Sequence, residues 1–518
     1  MSDRRLRVIQ RAPGADEDEL KAALGRTVRV ELPPGTPRWR HQLIALALVD
    51  MLGRLFPRVD VVCAADALAD PLLPPGPALL RERLEAVRRH GVEPEEPGEP
   101  ELTVRVGPGA EEADVYVDAR EWQTYVGTRP SQLPDDDGRA IAVGPLASSC
   151  RAVAQVFQRL LADLLPQTTT IESSYWSALT YEKGEAPLVD PELPVPMRLE
   201  AVLVGAGSIG GAAAYLFGRT PAVEGELDIV DPQPLEERNP DRALLATQAA
   251  AAAGEVKAVL AAAALDHLPL AVRPHQMTMA EFVAARPREQ PLRLVLAAVD
   301  SARARREIQD CLPLDVVNAA CSPTAIAVSG HVTGNGPCVY CLHLPEVLDS
   351  ERILAKLVAA ATGLPFMTVV PLMVDHVKLA DDHLRVIERN RDLPLGALQE
   401  YRGVEIDELY RAALLYGEIG IRTASGLEAA VAAIFVTALA GFVLGGEALK
   451  AGGGAAFTRY RLGARGELGT KYEESLFHSP NTSLVALSRR HEGSECLCRS
   501  PRRLRIMRER YGLSEEVA

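Results

Sequence analysis

Glycines, acidic strand ends and cationic side chains follow one another over residues 201–300 in an order that could hold a nucleoside triphosphate. The run Ala201-Val-Leu-Val-Gly205-Ala-Gly207-Ser-Ile-Gly210-Gly211 reads as a buried strand, a tight turn and the opening of an Ala-rich helix. Phosphate has to approach the backbone closely there, and a Cβ would intrude. The helix start adds free N–H groups and the positive end of its dipole. A second strand, Leu227-Asp-Ile-Val-Asp231, ends on a carboxylate placed to accept from ribose hydroxyls. So far the pattern is common to Rossmann-type sites. Asn239, Arg242 and Lys257 come next. A dinucleotide has no general need of them, whereas β- and γ-phosphates carry charge that must be neutralised during attack on the α-phosphorus.

With Val295-Leu-Ala-Ala-Val-Asp300 and Pro337-Cys338-Val-Tyr-Cys341 added, the sequence resembles the ThiF/MoeB superfamily, the adenylation fold of ubiquitin-activating enzymes. The likeness is strong over residues 196–345 and looser beyond. It implies that Gly205, Gly207 and Gly210 form the nucleotide loop, with Asp231 on the ribose and Asn239, Arg242 and Lys257 on the phosphates of ATP. Asp300 would bind Mg²⁺, and Arg242, Lys257 and Asp300 would carry the catalytic charge stabilisation. Plainer readings stand beside these: Asn239 as a turn residue, Arg242 and Lys257 as solvated helix positions, Asp300 as a helix N-cap. The family commonly has a second acid where this chain has Gln233, Gln at Ala243 and Asn at Ser301. The implied activity is adenylation of the C-terminal carboxylate of a small ubiquitin-like or sulfur-carrier protein ending in glycine, or of a peptide. A conjugating partner and a homodimer are both open. Two other classes remain: an NAD-dependent oxidoreductase, and a nucleotide-binding scaffold without catalysis. The family also uses an arginine reaching in from the partner half, for which Arg38 and Arg40 are the candidates.

Cys338 and Cys341 pair with Cys496 and Cys498 far downstream. Four thiolates in two tight pairs are what a closed tetrahedral Zn²⁺ site requires; a redox pair or fortuitous cysteines are the rival readings. The second pair has one spacer residue where the family usually has two. Thioester-forming members keep their nucleophile in or near a crossover segment, and residues 346–424 hold no cysteine. Cys321 is the nearby alternative, with no flanking basic residue to lower its pKa. Cys63, Cys150 and Cys311 read as core residues.

These residues need a scaffold, and strand–helix alternation calls for an α/β fold of doubly wound parallel sheets. It is expected twice, as a pseudo-dimer: an inactive adenylation-like domain over 1–178, a proline-rich linker over 179–197, and an active domain over 198–518. In the first copy the strand Thr27–Leu32, the helix Arg38–Arg54 and the strand Val59–Asp66, ending on an acid, mirror the nucleotide-binding unit. Pro-Pro-Gly-Thr-Pro stands where the second copy has its glycine loop, and a proline-rich turn lacks N–H donors for phosphate. Ala113–Asp118 parallels Leu294–Asp300, and Gly144–Phe157 parallels Gly426–Phe435 as a helix of small residues. The crossover insertion, about 346–424, is expected to hold helices over Ser350–Ala361 and Leu398–Tyr416 and a strand over Met367–Val374.

The chain has 518 residues, 47% apolar, with eight cysteines and a net charge of −14. That charge argues against bulk nucleic-acid binding. No charged-then-apolar leader and no apolar run of membrane-spanning length stand out, and the Ala-rich stretch 248–265 reads as one soluble helix. A reducing, cytoplasmic setting is expected. Abundant Ala, Arg, Pro and Gly suggest a GC-rich bacterial genome. The basic tail from Arg499 to Tyr511 reads as a solvated helix.

Overall fold

The computed structural model describes residues 17–34, 37–109, 111–164, 173–191, 195–287, 290–322, 324–333, 337–342, 355, 358–359, 362–375, 377–390, 393–409, 420–423, 426–429, 432–464, 469–476, 484–486 and 500–513. By contact density the chain divides into two units, one built mainly from 344–431 and the other from the remaining bulk of the sequence.

The larger unit holds two sheets. Strands β1 (Val28–Glu31), β2 (Val59–Val62), β3 (Leu102–Val106), β4 (Val115–Arg120), β5 (Gln123–Gly127), β6 (Ser174–Ser177) and β7 (Lys183–Gly184) run in the order β2-β1-β3-β4-β5-β6-β7. The second sheet uses β8 (Met197–Val204), β9 (Val223–Val230), β10 (Leu270–His275), β11 (Leu294–Ala297), β12 (Asp315–Cys321) and β13 (Ala325–Val332). A hairpin of β14 (Gly420–Thr423) and β15 (Gly426–Ala429) belongs to the smaller unit, and β16 (Lys471–Ser475) with β17 (Leu484–Ala486) completes the second sheet as β10-β9-β8-β11-β12-β13-β16-β17.

The two orders superimpose. β1 to β7 correspond in turn to β8, β9, β11, β12, β13, β16 and β17, and β10 alone has no counterpart. The pairings agree as well: parallel up to β4 and β12, antiparallel after them. The protein is therefore an α/β pseudo-dimer of two parallel-rich sheets. This topology corrects one sequence parallel, because the partner of β4 is β12 and the partner of Leu294–Ala297 is β3. Alternating apolar strands look alike in sequence, and only the order of pairing tells them apart.

Helix Ile434–Gly452 lies between the halves. It packs on Ser208–Phe217 and on β8, β12 and β13 of the second half, and on helix Val143–Leu160 of the first. A Cβ at Gly441 would stand 2.3 Å from the carbonyl of Ile209, so only glycine allows these backbones to meet. Residues 429–446 carry no charge, an apolar run that the sequence reading passed over. This helix is long and apolar enough to cross a membrane by composition, yet 94% of its apolar window is buried in the protein, as in the core helix of a packed domain. Nearby, Glu447 accepts from Tyr181 Oη at 2.6 Å, Lys450 Nζ at 2.7 Å and the Leu462 N–H at 2.8 Å. Glu474 of β16 takes Arg151 at 2.7 Å, Tyr472 at 2.8 Å and Lys183 at 3.3 Å. Tyr181 stacks on Tyr472 with centroids 4.4 Å apart. These contacts tie elements from both halves into one polar core, every charge of which has a partner.

Several local expectations change. Helix Trp39–Leu55 is buried on every face, including Arg40, Asp50 and Arg54, rather than amphipathic. The strand that follows it in the chain, β2, ends at Val62, which leaves Asp66 exposed in a turn. The Ala-rich stretch breaks at Gly254 (φ +62°) into Gln248–Ala252 and Lys257–Ala263. The proline-rich linker is docked on the first half: Gln123 exchanges hydrogen bonds with Leu188, and Ser177 Oγ donates to Asp190 at 2.8 Å.

The smaller unit has its own apolar core, in which Val369, Leu372, Leu384, Ile387, Ile406 and Leu409 take part. Its segment Phe366–Val374 is a helix with Pro371 inside it, not a strand. Only Gln399–Tyr401 and Ile406–Leu409 are helical within the span expected over Leu398–Tyr416, whose residues 410–416 lie outside the described residues. Most of Ser350–Ala361 also lies outside them.

Candidate functional site

The carboxyl end of β8 turns at Gly205, whose φ of +88° is left-handed and whose Cβ would stand 2.6 Å from the Ala298 carbonyl. Helix Ser208–Phe217 starts two residues after Ala206. Gly210 lets its first turn sit on the strand, since a Cβ there would lie 1.8 Å from the Gly205 carbonyl. At Gly207 a Cβ would meet nothing within 4 Å. Two of the three glycines are thus required by the fold itself, and the third borders open space.

Asp231 follows β9 and is buried. Its Oδ2 accepts from the Ala206 N–H at 2.7 Å and its Oδ1 from the Gln233 N–H at 2.9 Å. The carboxylate therefore ties the glycine turn to the strand beside it, while each oxygen keeps lone-pair capacity for a hydroxyl donor. Residues 233–235 then run beside 255–257: Leu235 N–H donates to Glu255 O at 2.7 Å and Lys257 N–H to Gln233 O at 3.1 Å. Lys257, 8% exposed, donates its Nζ to Gln233 Oε1 at 2.8 Å. A neutral amide holds this ammonium in place without cancelling its charge.

Asn239 accepts from the Glu236 N–H at 2.9 Å, so its oxygen serves the turn as the plainer reading had it. Arg242 is half-buried in the same turn, not in a helix, and its carbonyl accepts from Thr437 Oγ1 at 3.0 Å. Arg238, by a direct ion pair, and then Lys257 and Arg242 hold the Glu236 carboxyl below its usual range. Arg242 and Arg305 also act on Cys321, but burial outweighs them and pushes that thiol up to about 11. Cys321 is thus a neutral thiol beside the cations rather than a ready nucleophile.

Asp300 stands exposed after β11. Ser301, not Asp300, caps helix Ala302–Asp310, accepting from the Ala304 N–H at 3.1 Å. The Asp300 carboxylate is therefore not committed to the helix start.

Among the described residues the first half shows no such cradle. At its corresponding helix start, His41 Nε2 and Arg40 Nε lie 3.3 and 3.4 Å from Asp118, all nearly without exposure. Arg38 pairs with Asp135 at 2.7 Å. Both arginines offered as reaching across are tied within their own half. Besides Arg151, which pairs with Glu474, an arginine that does cross is Arg54, at the end of the helix expected over Arg38–Arg54. Its guanidinium reaches backbone carbonyls of residues 240–246.

Cys338 and Cys341 place their sulfurs 3.8 Å apart and pack with Met507 and Ile506 of helix Pro501–Tyr511. Cys496 and Cys498 lie outside the described residues. Among the described residues no group of three or more His, Cys, Asp or Glu side chains is arranged to hold a metal. Cys150 is buried as expected of a core residue, while Cys63 and Cys311 are only half-buried.

A cavity of about 640 Å³ opens at the β10 edge of the second sheet, lined by Glu200, Val202, Glu226, Asp228, Arg273 and His275 among others. Burial pushes the Asp228 carboxyl up, but Arg273, His275 and Arg286 outweigh it and hold it low. Arg273 pairs with Glu226 and Asp228 within the cavity, and the backbone carbonyl of His275 accepts from the Asp231 N–H at 3.1 Å.

The chain is 28% identical over 401 residues to the uncharacterized protein y4jF of Sinorhizobium fredii, a match spanning 76% of this chain and 72% of that one. Among solved structures it resembles E. coli MccB in complex with MccA forms, including the microcin C7 biosynthetic enzyme MccB with N-formylated MccA. These share 11% identity at a TM-score of 0.33, covering 58% of this chain and 67% of theirs. Residues 197–454, which hold the glycine turn, Asp231, Asn239, Arg242, Lys257 and Asp300, match the ThiF family.

Proposed function

We propose that the C-terminal half is an ATP- and Mg²⁺-dependent adenylating enzyme acting on the C-terminal carboxylate of a small protein or peptide. The observation that carries this reading is the buried Lys257 ammonium, held by Gln233, whose own N–H donates to Asp231 beside the glycine turn, with Arg242 on the same stretch of chain. Such cations suit phosphates beyond the α position. The carboxylate oxygen would attack the α-phosphorus, the bond to the β-phosphate oxygen would break, and pyrophosphate would leave with the electron pair. Side chains need only position the reactants and offset charge, so no general base is required. Asp300 would hold Mg²⁺, which would supply positive charge to offset that of the departing pyrophosphate.

A structural zinc site is proposed at Cys338 and Cys341 with Cys496 and Cys498. Two thiolates on one tetrahedral zinc, each at roughly 2.3 Å, stand about 3.8 Å apart. The observed pair has that separation, and the helix beginning at Pro501 packs on it. The reading extends to a ubiquitin-like or sulfur-carrier protein as the substrate and to a cytoplasmic setting.

Pyrophosphate exchange tests the activity. Labelled pyrophosphate should enter ATP only when a carrier with a free C-terminal glycine is supplied. Asp300→Ala should abolish exchange with the circular dichroism unchanged, and an unaltered rate would remove Asp300 from the mechanism. Stoichiometric NAD(H) binding without ATP affinity would overturn the reading altogether.

A further inference from the structure

We propose that Arg54, from the N-terminal half, is a positioning residue for the phosphate-binding turn of the C-terminal half; this rests on the ATP reading above. Arg54 lies in the last turn of helix Trp39–Leu55 and is 2% exposed. Its Nε donates to Asp50 Oδ1 at 2.8 Å. Nη1 donates to the carbonyls of Pro240, of Ala243 at 3.1 Å and of Ala246 at 2.9 Å, and Nη2 to that of Leu244 at 3.0 Å. From the other side Thr437 Oγ1 donates to the Arg242 carbonyl at 3.0 Å. Five carbonyls between 240 and 246 are thus fixed by two side chains, one from each half.

The place of these bonds gives them meaning. They fall on the segment that carries Arg242, whose charge acts with that of Lys257 on Glu236. A Cβ at Gly211 of the nucleotide-loop helix would lie 3.9 Å from the Leu245 side chain of the same segment. A planar guanidinium offers donors in a rigid fork and so sets the shape of a turn, where an ammonium would supply only a point charge. Asp50, buried with it, balances its charge, so Arg54 acts by geometry rather than by adding field at the phosphates. A Cβ at Gly91 would stand 2.4 Å from Arg54 Cα and 2.6 Å from its Cγ, so only glycine packs this closely on the arginine stem. The N-terminal half, whose own nucleotide position is filled by Arg40 and His41, would on this view keep a function by shaping its neighbour's site.

The test compares Mg-ATP with AMP by calorimetry on the full chain. AMP reaches the glycine turn and Asp231 but has no β- or γ-phosphate for Arg242. Arg54→Lys should weaken Mg-ATP about tenfold while changing AMP less than twofold, and Thr437→Val should weaken Mg-ATP about threefold with AMP again unchanged. Should Arg54→Lys fail to fold, Thr437→Val decides, because it removes one hydroxyl at the same turn. Equal losses for the two nucleotides, or no loss, would overturn the positioning role while leaving ATP binding intact. A wild-type chain that binds AMP and Mg-ATP equally, or neither, would overturn the ATP reading and this proposal with it.

Discussion

Removing Arg151 should destabilise the protein in a way that reverses with pH. Its guanidinium donates to Glu474 at 2.7 Å and lies 4.3 Å from the Trp176 ring centroid, with both charged side chains less than 10% exposed. In the wild type, burial alone would raise the Glu474 carboxyl, but Arg151, Lys183 and Tyr472 outweigh it and hold it low. A depressed carboxyl stabilises above its unfolded value and loses that contribution as pH falls through its folded value. Arg151→Met leaves Lys183 at 3.3 Å and the Tyr472 hydroxyl at 2.8 Å, so the charge is not abandoned. The loss should sit at the low end for a broken buried pair, about 3 kcal/mol. With an m-value of roughly 3 kcal/mol per molar urea, the midpoint should fall by about 1 M. Burial then dominates at Glu474, its carboxyl rises, and the deficit should shrink as pH drops from about 8 to 5. Adding Glu474→Gln should restore much of the loss. Trp39, Trp122 and Trp176 are all buried in the first half and supply the fluorescence signal. A midpoint shift under about 0.3 M, or a deficit that grows on acidification, would refute the assignment of this pair as a buried, mutually dependent charge cluster.

Lys257→Met removes a charge-assisted donor from the proposed phosphate cluster and should weaken Mg-ATP by about 30-fold in calorimetry, with AMP nearly unaffected. Cys321, pushed up to about 11, should carry about a hundredfold less thiolate near neutral pH than an ordinary cysteine and react correspondingly slowly with a thiol reagent, the rate rising with pH to beyond 9. Cys338→Ser should lower the zinc content of purified protein and loosen helix Pro501–Tyr511, read as faster amide exchange around Met507; full zinc occupancy in that variant would exclude Cys338 as a ligand.

The glycine turn and Asp231 were legible in sequence because their constraints are local: a strand end, a left-handed turn and a helix start follow within a dozen residues. Lys257 was legible as a charge but not as a helix start, because the break at Gly254 lies inside an unbroken Ala-rich pattern. Arg54 could not be found this way. Its partners are 186 to 192 positions distant, and a lone Arg ending an apolar helix resembles a solvated terminus. The segment Phe366–Val374 misled through its Val and Thr content, which suits a pleated surface. It meets its own core through Val369 and Leu372, three apart, and that spacing serves a helix. The pairing of β4 with β12 in the two copies needed the strand order itself.

Helix Ile434–Gly452 sets a timetable for the chain as it is made. Helix Ser208–Phe217 waits more than two hundred residues for the surface it packs on, and helix Val143–Leu160 waits longer. Neither lobe can seal its interior until the ribosome has released residues past 452, so nascent chains carry uncovered apolar faces through most of translation. Premature stops before that point should therefore yield aggregates rather than a stable N-terminal fragment.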